Sequence, residues 1–284
     1  MLGPEELVLC AGTLAGASFR ERVEAAAEGG FSAISLFLDD YQQARARGLD
    51  APEMRKLLAD YGIAVAELDP LMSWVPGAEL GASANDQGAE FFRQREEDFY
   101  AAADVLGARS LNAICLTDTP LPTSAVAEAF AALCDRAGVH GLLVHLEFLP
   151  WTSIPDLDAA LEIVELADRP NGGLMFDTWH HFRSRGKNER IRSVPGGRIL
   201  ALQINDAPRE AEENLVDETL HRRLLPGEGD IDLVEILTLL DEVDSPAPVG
   251  VEVFSDALAG LPVRERARRA GAAARAVLRR ARRG

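Results

Sequence analysis

The 284-residue sequence predicts an α/β fold in which eight strand–helix units close into one barrel, and two observations carry the prediction. Short apolar, β-branched runs alternate with longer amphipathic stretches along the whole chain, the pattern of βα units around a parallel sheet. The strand candidates read as near-continuous apolar runs, as parallel strands buried on both faces do. Eight such units with short links favour a (β/α)8 barrel over an open doubly wound sheet. The Gly-rich phosphate turn of such a sheet is only faintly present in Ala11-Gly12-Thr13-Leu14-Ala15-Gly16.

The first unit reads as a strand over Leu7–Ala11 and a helix over Phe19–Glu28. The second is Ala33–Leu38 with a helix over Ala51–Tyr61, stopped by Gly62. A strand over Ala64–Asp69 leads through a long loop, 71–88, to a helix over Glu90–Leu106 that ends at Gly107. Ser110–Cys115 precedes a helix over Ser124–Ala137, with Ser124 as its start signal and Gly138 as its stop. Leu142–Phe148 precedes a helix over Leu157–Ala167, opened by Asp156. Gly173–Asp177 is followed by a weak pattern over Glu189–Val194. Ile199–Ile204 leads through a loop, 207–230, to a helix over Leu233–Glu242, and Val249–Phe254 to a last helix over Val263–Arg282. No linker or composition break divides the chain, so residues 1–284 read as a single domain. Both long loops follow strands, which places them at the C-terminal face where such barrels build their sites.

Composition narrows the partners. Lys and Arg number 29 against 46 Asp and Glu, a formal charge of −17 that repels phosphate backbones and argues against nucleic acid. No apolar run approaches the roughly 18 residues of a membrane span, and the N-terminus has no basic region of a signal peptide. A cytoplasmic protein without membrane partners is expected; a homo-oligomer is left open. Cys10, Cys115 and Cys134 lack paired spacing, so neither a disulfide framework nor a cysteine zinc site is indicated. The basic stretch Arg264–Arg283 reads as a final barrel helix with a solvated face.

Polar residues interrupt four consecutive strands near their C-terminal ends: Glu147, Asp177, Gln203 and Glu252. A carboxylate inside an apolar run is costly to bury unless it is paired or metal-bound. Separate pairing of all four would need as many buried cations, whereas one divalent cation at a common barrel mouth satisfies the set together. Three carboxylates and an amide oxygen form a hard site that favours Mn²⁺, with Mg²⁺ or Co²⁺ next and Zn²⁺ less suited.

These residues carry a resemblance. Leu146-Glu147-Phe148, Phe176-Asp177-Thr178-Trp179-His180, Gln203-Ile204-Asn205-Asp206, the run from Arg223 through Pro226-Gly227-Glu228-Gly229-Asp230 to Asp232, and Val251-Glu252-Val253 resemble the sugar phosphate isomerase/epimerase superfamily. Its fold is the xylose isomerase-like TIM barrel, and its ketose 3-epimerases are the members most similar here. The resemblance implies Glu147, Asp177 and Glu252 as metal ligands, with Gln203 standing where many members place His. It also implies His180 and Arg223 as substrate contacts, and Glu147 and Glu252 as the pair that removes and returns a proton through a metal-stabilised enediolate. The function implied is a metal-dependent isomerase or epimerase of a sugar or related hydroxy-ketone. A lyase or dehydratase acting on a keto-sugar, glycoside or dehydroshikimate-like substrate is the alternative, and a non-catalytic sugar-binding barrel a second one. No basic cluster announces a phosphate site, so an unphosphorylated, sugar-like small molecule is the expected substrate.

Other residues have two readings. Trp74 and Glu67 are candidate substrate contacts, though Trp74 could equally close a small core and Glu67 or Asp69 could bond the following loop. Asn205 and Asp206 are either helpers at the site or caps of their loop. His145, two residues before Glu147, reads as a satisfied core histidine; His181 and His221 read as surface residues.

Overall fold

The computed structural model describes residues 2–79, 86–117 and 119–282, the side chains of 86–88 excepted. Residues 80–85 of the expected loop 71–88, and Arg283 of the basic stretch, lie outside the described residues. Eight strands follow in order: β1 Leu7–Leu9, β2 Ala33–Phe37, β3 Ala64–Leu71, β4 Ser110–Ile114, β5 Leu143–Glu147, β6 Gly172–Asp177, β7 Ile199–Ile204 and β8 Val249–Val251. Each pairs in parallel with the next, and β8 returns to β1 to close the barrel. The expected fold class is therefore the observed one. β8 ends three residues earlier than expected, but the Glu252 N–H still donates to the Ile204 carbonyl at 3.2 Å, so Glu252 remains tied to β7.

Local chemistry sets the helix boundaries. Ser18 and Glu21 form a capping box at the helix Phe19–Gly29, as Asp50 and Glu53 do at Ala51–Tyr61. The Asp156 side chain accepts from the Ala159 N–H at 2.9 Å and opens Leu157–Ala167 as expected. Ser124 makes no cap: the helix Thr123–Val139 starts one residue earlier, after Pro122, and runs past Gly138. The expected helix over Glu90–Leu106 is two, Asp86–Phe92 and Glu96–Leu106, the second opening on three acids that its N-terminal dipole favours. The weak pattern at Glu189–Val194 is a 3-10 turn over Asn188–Ser193. Four helices had no periodic signal: Leu38–Ala46, Thr178–Arg183, Leu215–His221 and Asp256–Ala259. They begin at or after strand ends on the C-terminal side, within stretches too short or too polar to show a helical stripe.

The last helix, Val263–Ala281, lies against the first helix where the barrel closes. A Cβ on Gly271 would stand 2.4 Å from the Gly29 carbonyl oxygen, so the two backbones approach as only glycine permits. Several arginines in and just after it meet acids: Arg264 pairs with Glu24 and Glu28, Arg269 with Glu265, and Arg282 with Glu5 and Asp241. Among the described residues no helix is long and apolar enough to cross a membrane, and the three cysteines are buried free thiols. Gly271→Ala should destabilise the protein by about 1–3 kcal/mol through overpacking. Calorimetry should show this as a melting point several degrees lower; an unchanged melting point would mean the helices can part without cost.

Candidate active site

At the end of β6, Asp177 has two tasks. Its Oδ1 accepts from the N–H groups of Trp179 (2.7 Å) and His180 (3.0 Å), capping the short helix Thr178–Arg183. Its Oδ2 turns to the barrel mouth and accepts from Asn205 Nδ2 (2.9 Å) and Arg223 Nη1 (2.8 Å). The Asn205 amide is oriented in turn by the Thr178 hydroxyl, which donates to Asn205 Oδ1 at 2.7 Å. The cap carries His180 over the end of β5, with His180 Nε2 3.2 Å from Glu147 Oε1. The other Glu147 oxygen accepts from Asn112 Nδ2 at 2.6 Å. Glu252, just beyond β8, accepts from Arg223 Nη1 at 3.2 Å.

Arg223 is itself tightly held. Its backbone N–H donates to the Phe254 carbonyl at 2.9 Å, its Nη2 donates to Thr219 Oγ1 at 2.7 Å, and its guanidinium lies over the rings of Trp179 and Phe254. The loop that delivers it is pinned by Asp206, whose carboxylate accepts from the N–H groups of Ala207, Gly227 and Ile231. Gly229 is required there, because a Cβ would sit 2.4 Å from Asp206 Oδ1.

The structure thus brings Glu147, Asp177, Gln203, Glu252, His180 and Arg223 to one barrel end, all buried. Three expected substrate contacts are corrected. Trp74 is turned into the core, its Nε1 donating to the Ile114 carbonyl at 2.9 Å and its ring edge-on to Phe130. Glu67 lies two residues deeper than Asp69 on β3, 3.4 Å from His145, below the cavity. Asp206 is spent on loop N–H groups. His181 is not a surface residue; it is buried beside Phe176, because its short helix lies flat against the barrel. His145 is the satisfied core histidine expected, with both nitrogens in hydrogen-bonding distance of partners. His221 is exposed beside Asp256. Sequence reasoning passed over Asn112, although a polar residue within Ser110-Leu111-Asn112-Ala113-Ile114 was a visible signal of the same kind as the four acid and amide interruptions.

Above these groups is a cavity of about 110 Å³. It is lined by Asp69, Glu147, His180, Arg223 and Glu252 together with Phe37, Met72, Phe91, Leu149, Trp151 and Phe254. Five carboxylates are buried inside the barrel, Asp69, Glu147, Asp177 and Glu252 at this end and Glu67 a layer below them. Burial pushes Glu67 and Glu252 well above the usual carboxylate range; neighbouring acids add to it, while Arg223 offsets part of it at Glu252. Burial, then the Glu147 charge, raises Asp69 to about 7. Burial acts upward on Asp177 too, but Arg223, His180 and the backbone N–H of His180 outweigh it and hold Asp177 low. Burial and then Arg109 push His145 down to about 3, so it is neutral.

The donor set fits a divalent cation. Glu147, Asp177 and His180 each bring a ligand atom within 4.8 Å of the others. The Gln203 amide reaches between Asp177 Oδ2 and Glu252 Oε2, 3.1 Å from each. With its oxygen turned to them, three oxygens converge and a cation reconciles them; with its NH2 turned to them, it donates to both.

Comparison with known proteins gives a consistent result. The model of the xylose isomerase-like TIM barrel family matches residues 23–281. The 3-dehydroshikimate dehydratase of Pseudomonas putida is 27% identical over 251 residues, covering 87% of this chain and 38% of the dehydratase. The chain therefore spans under two fifths of the length of that curated relative. The inosose isomerase of Bacillus velezensis is 34% identical over 131 residues, 45% of each protein. A solved IOLI protein with a bound zinc atom superposes with a TM-score of 0.83 at 20% identity, covering 96% of this chain and 98% of that one.

The raised carboxylates fix the sign of a pH effect. In the metal-free protein Asp69, Glu67 and Glu252 keep protons that the unfolded chain releases near pH 4, so the folded state binds more protons and stability falls as pH rises through about 7. Asp177 acts oppositely, losing its contribution only as pH falls through its own lowered value. With chelator present, the melting point should be lower at pH 8 than at pH 5, and Asp69→Asn should flatten part of that fall; a rise from pH 5 to 8 would contradict the assignment.

Proposed function

Because the chain belongs to the xylose isomerase-like TIM barrel family, we propose that it is a divalent-metal-dependent dehydratase acting on a small cyclic hydroxy-ketone. The observation that carries this reading is the lining of the cavity, in which five ionisable groups, Asp69, Glu147, His180, Arg223 and Glu252, are set among a larger number of apolar side chains. A small ring that carries oxygens on part of its edge and carbon on the rest suits such a lining. An open-chain sugar, with a hydroxyl on each carbon, would leave several facing Phe37, Phe91 and Phe254 without partners. The similarity to a 3-dehydroshikimate dehydratase across 87% of the chain points the same way.

Glu147, Asp177, Gln203 and Glu252 would hold the metal, with His180 within reach of the same point, and the predominance of oxygen donors favours Mn²⁺ first and Mg²⁺ or Co²⁺ next. When bound, the metal supplies a Lewis acid for the substrate carbonyl and its neighbouring oxygen. The protein's own groups do the rest. Glu147 takes the proton on the carbon next to the carbonyl, and the electron pair of that C–H bond forms the new double bond. The C–O bond at the next carbon breaks, and Asp69, which lines the cavity and whose carboxyl burial raises, gives its proton to the departing hydroxyl as water forms. Arg223 and His180 hold substrate oxygens, the guanidinium being a permanent, directional cation. The partner is the small-molecule substrate, with neither nucleic acid nor membrane.

An isomerase is the second reading. It is favoured by Glu147 and Glu252 reaching the same cavity from β5 and β8, where one could remove a proton and the other return it. The two are separated by chelating the protein, reloading it with Mn²⁺, and supplying a panel that includes 3-dehydroshikimate and inosose in deuterated water. Dehydration predicts a conjugated product by ultraviolet absorbance, lost with chelator, and a kcat about 10²–10⁴-fold lower in Glu147→Gln. Deuterium uptake without elimination would replace this reading with the isomerase, and turnover surviving chelation would overturn both.

A further inference from the structure

Asn112 sits in the middle of β4, fully buried, and a buried amide must place one carbonyl oxygen and two N–H bonds. All three are placed. Asn112 Oδ1 lies 2.9 Å from His145 Nδ1, and Asn112 Nδ2 donates to Glu147 Oε2 at 2.6 Å and to Asp69 Oδ1 at 2.8 Å. Asn112 and His145 are direct partners across the β4–β5 ladder, and Glu147 is the next residue on the same side of β5. Backbone register therefore fixes the three relative to one another.

We propose that Asn112 and His145 are a positioning pair that sets which oxygen of Glu147 faces the reaction. This rests on the reading of Glu147 as the base. An asparagine amide can turn over, and turning it would set its oxygen against the carboxylates of Asp69 and Glu147 together. His145 opposes this in the tautomer with its hydrogen on Nδ1, which is the one that matches the observed Asn112 orientation. His145 Nε2 is then an acceptor 3.4 Å from Glu67 Oε2, while Ser110 Oγ, 3.0 Å away, donates its hydrogen to the Ala66 carbonyl. With Oε2 of Glu147 committed to the amide, Oε1 is the atom left toward His180 and the cavity. A base held by one oxygen in this way presents the other in a single direction, and a displacement near 1 Å at such a group costs about 10²-fold in rate.

The test compares Asn112→Leu, His145→Leu and His145→Asn, each read by a crystal structure at the Glu147 carboxylate and by kcat and KM of the Mn²⁺-loaded enzyme. Asn112→Leu should leave Glu147 rotated and lower kcat by about 10–100-fold with KM changed only a few-fold. His145→Leu should act in the same direction, and His145→Asn, whose amide N–H can replace the Nδ1 hydrogen, should recover most of the loss. An unmoved Glu147 with unchanged kcat, or a loss confined to KM, overturns the proposal. If Asn112→Leu does not fold, the His145 pair decides: equal losses in His145→Leu and His145→Asn overturn it. If the wild-type enzyme turns over nothing in the panel, the reading of Glu147 as base fails, while the carboxylate position in the variant crystals still decides whether Asn112 sets it.

Discussion

The constraint on which the rest of the structure depends is the burial of five carboxylates, Glu67, Asp69, Glu147, Asp177 and Glu252, within one barrel. Two like charges 4 Å apart repel by about 4 kcal/mol at an effective dielectric near 20, so the cluster stands only if its charge is answered. Three answers are built into the chain. Arg223 bridges Asp177 and Glu252. Oriented N–H groups from Asn112, Asn205 and the first turn of Thr178–Arg183 reach Glu147, Asp69 and Asp177. Burial keeps protons on Glu67 and Asp69, which do not need to be ionised to hold their places. The proposed divalent cation among Glu147, Asp177, Gln203 and Glu252 would be the fourth, and the one that makes the cluster chemically useful.

Scaffold and chemistry share residues. Asp177 caps a helix with one oxygen and faces the mouth with the other, so the cap that starts the helix also places His180. Asp206 touches no cavity, yet it folds the loop that carries Arg223. Trp74 likewise closes the wall behind the cavity by bonding the end of β4. Residues removed from the chemistry thus decide where the groups beside the substrate stand.

The strands and four site positions were legible because each leaves a one-dimensional trace: an apolar run, and a polar residue breaking it near its end. That logic extends to Asn112, which breaks β4 in the same way but carries no charge to draw attention. What the sequence did not carry is depth and direction. Glu67 and Asp69 share a strand and a side, but two residues of strand rise about 6.6 Å, enough to put one against His145 and the other in the cavity. Trp74 was placed by its loop, and the loop's return toward β4 is a tertiary event without a local signal. The short helices after β2, β6 and β7 were missed for the same reason, since fewer than three turns show no stripe, and with the one after β6 went the burial of His181.

Anomalous X-ray diffraction from crystals of the protein reloaded with Mn²⁺ tests the central claim most directly. The account predicts one manganese peak at the barrel mouth, with an oxygen of Glu147, Asp177, Gln203 and Glu252 each at about 2.0–2.6 Å. No peak there at saturating metal, or a peak held without Gln203 and Glu252 while Arg223 still bridges Asp177 and Glu252, would contradict it.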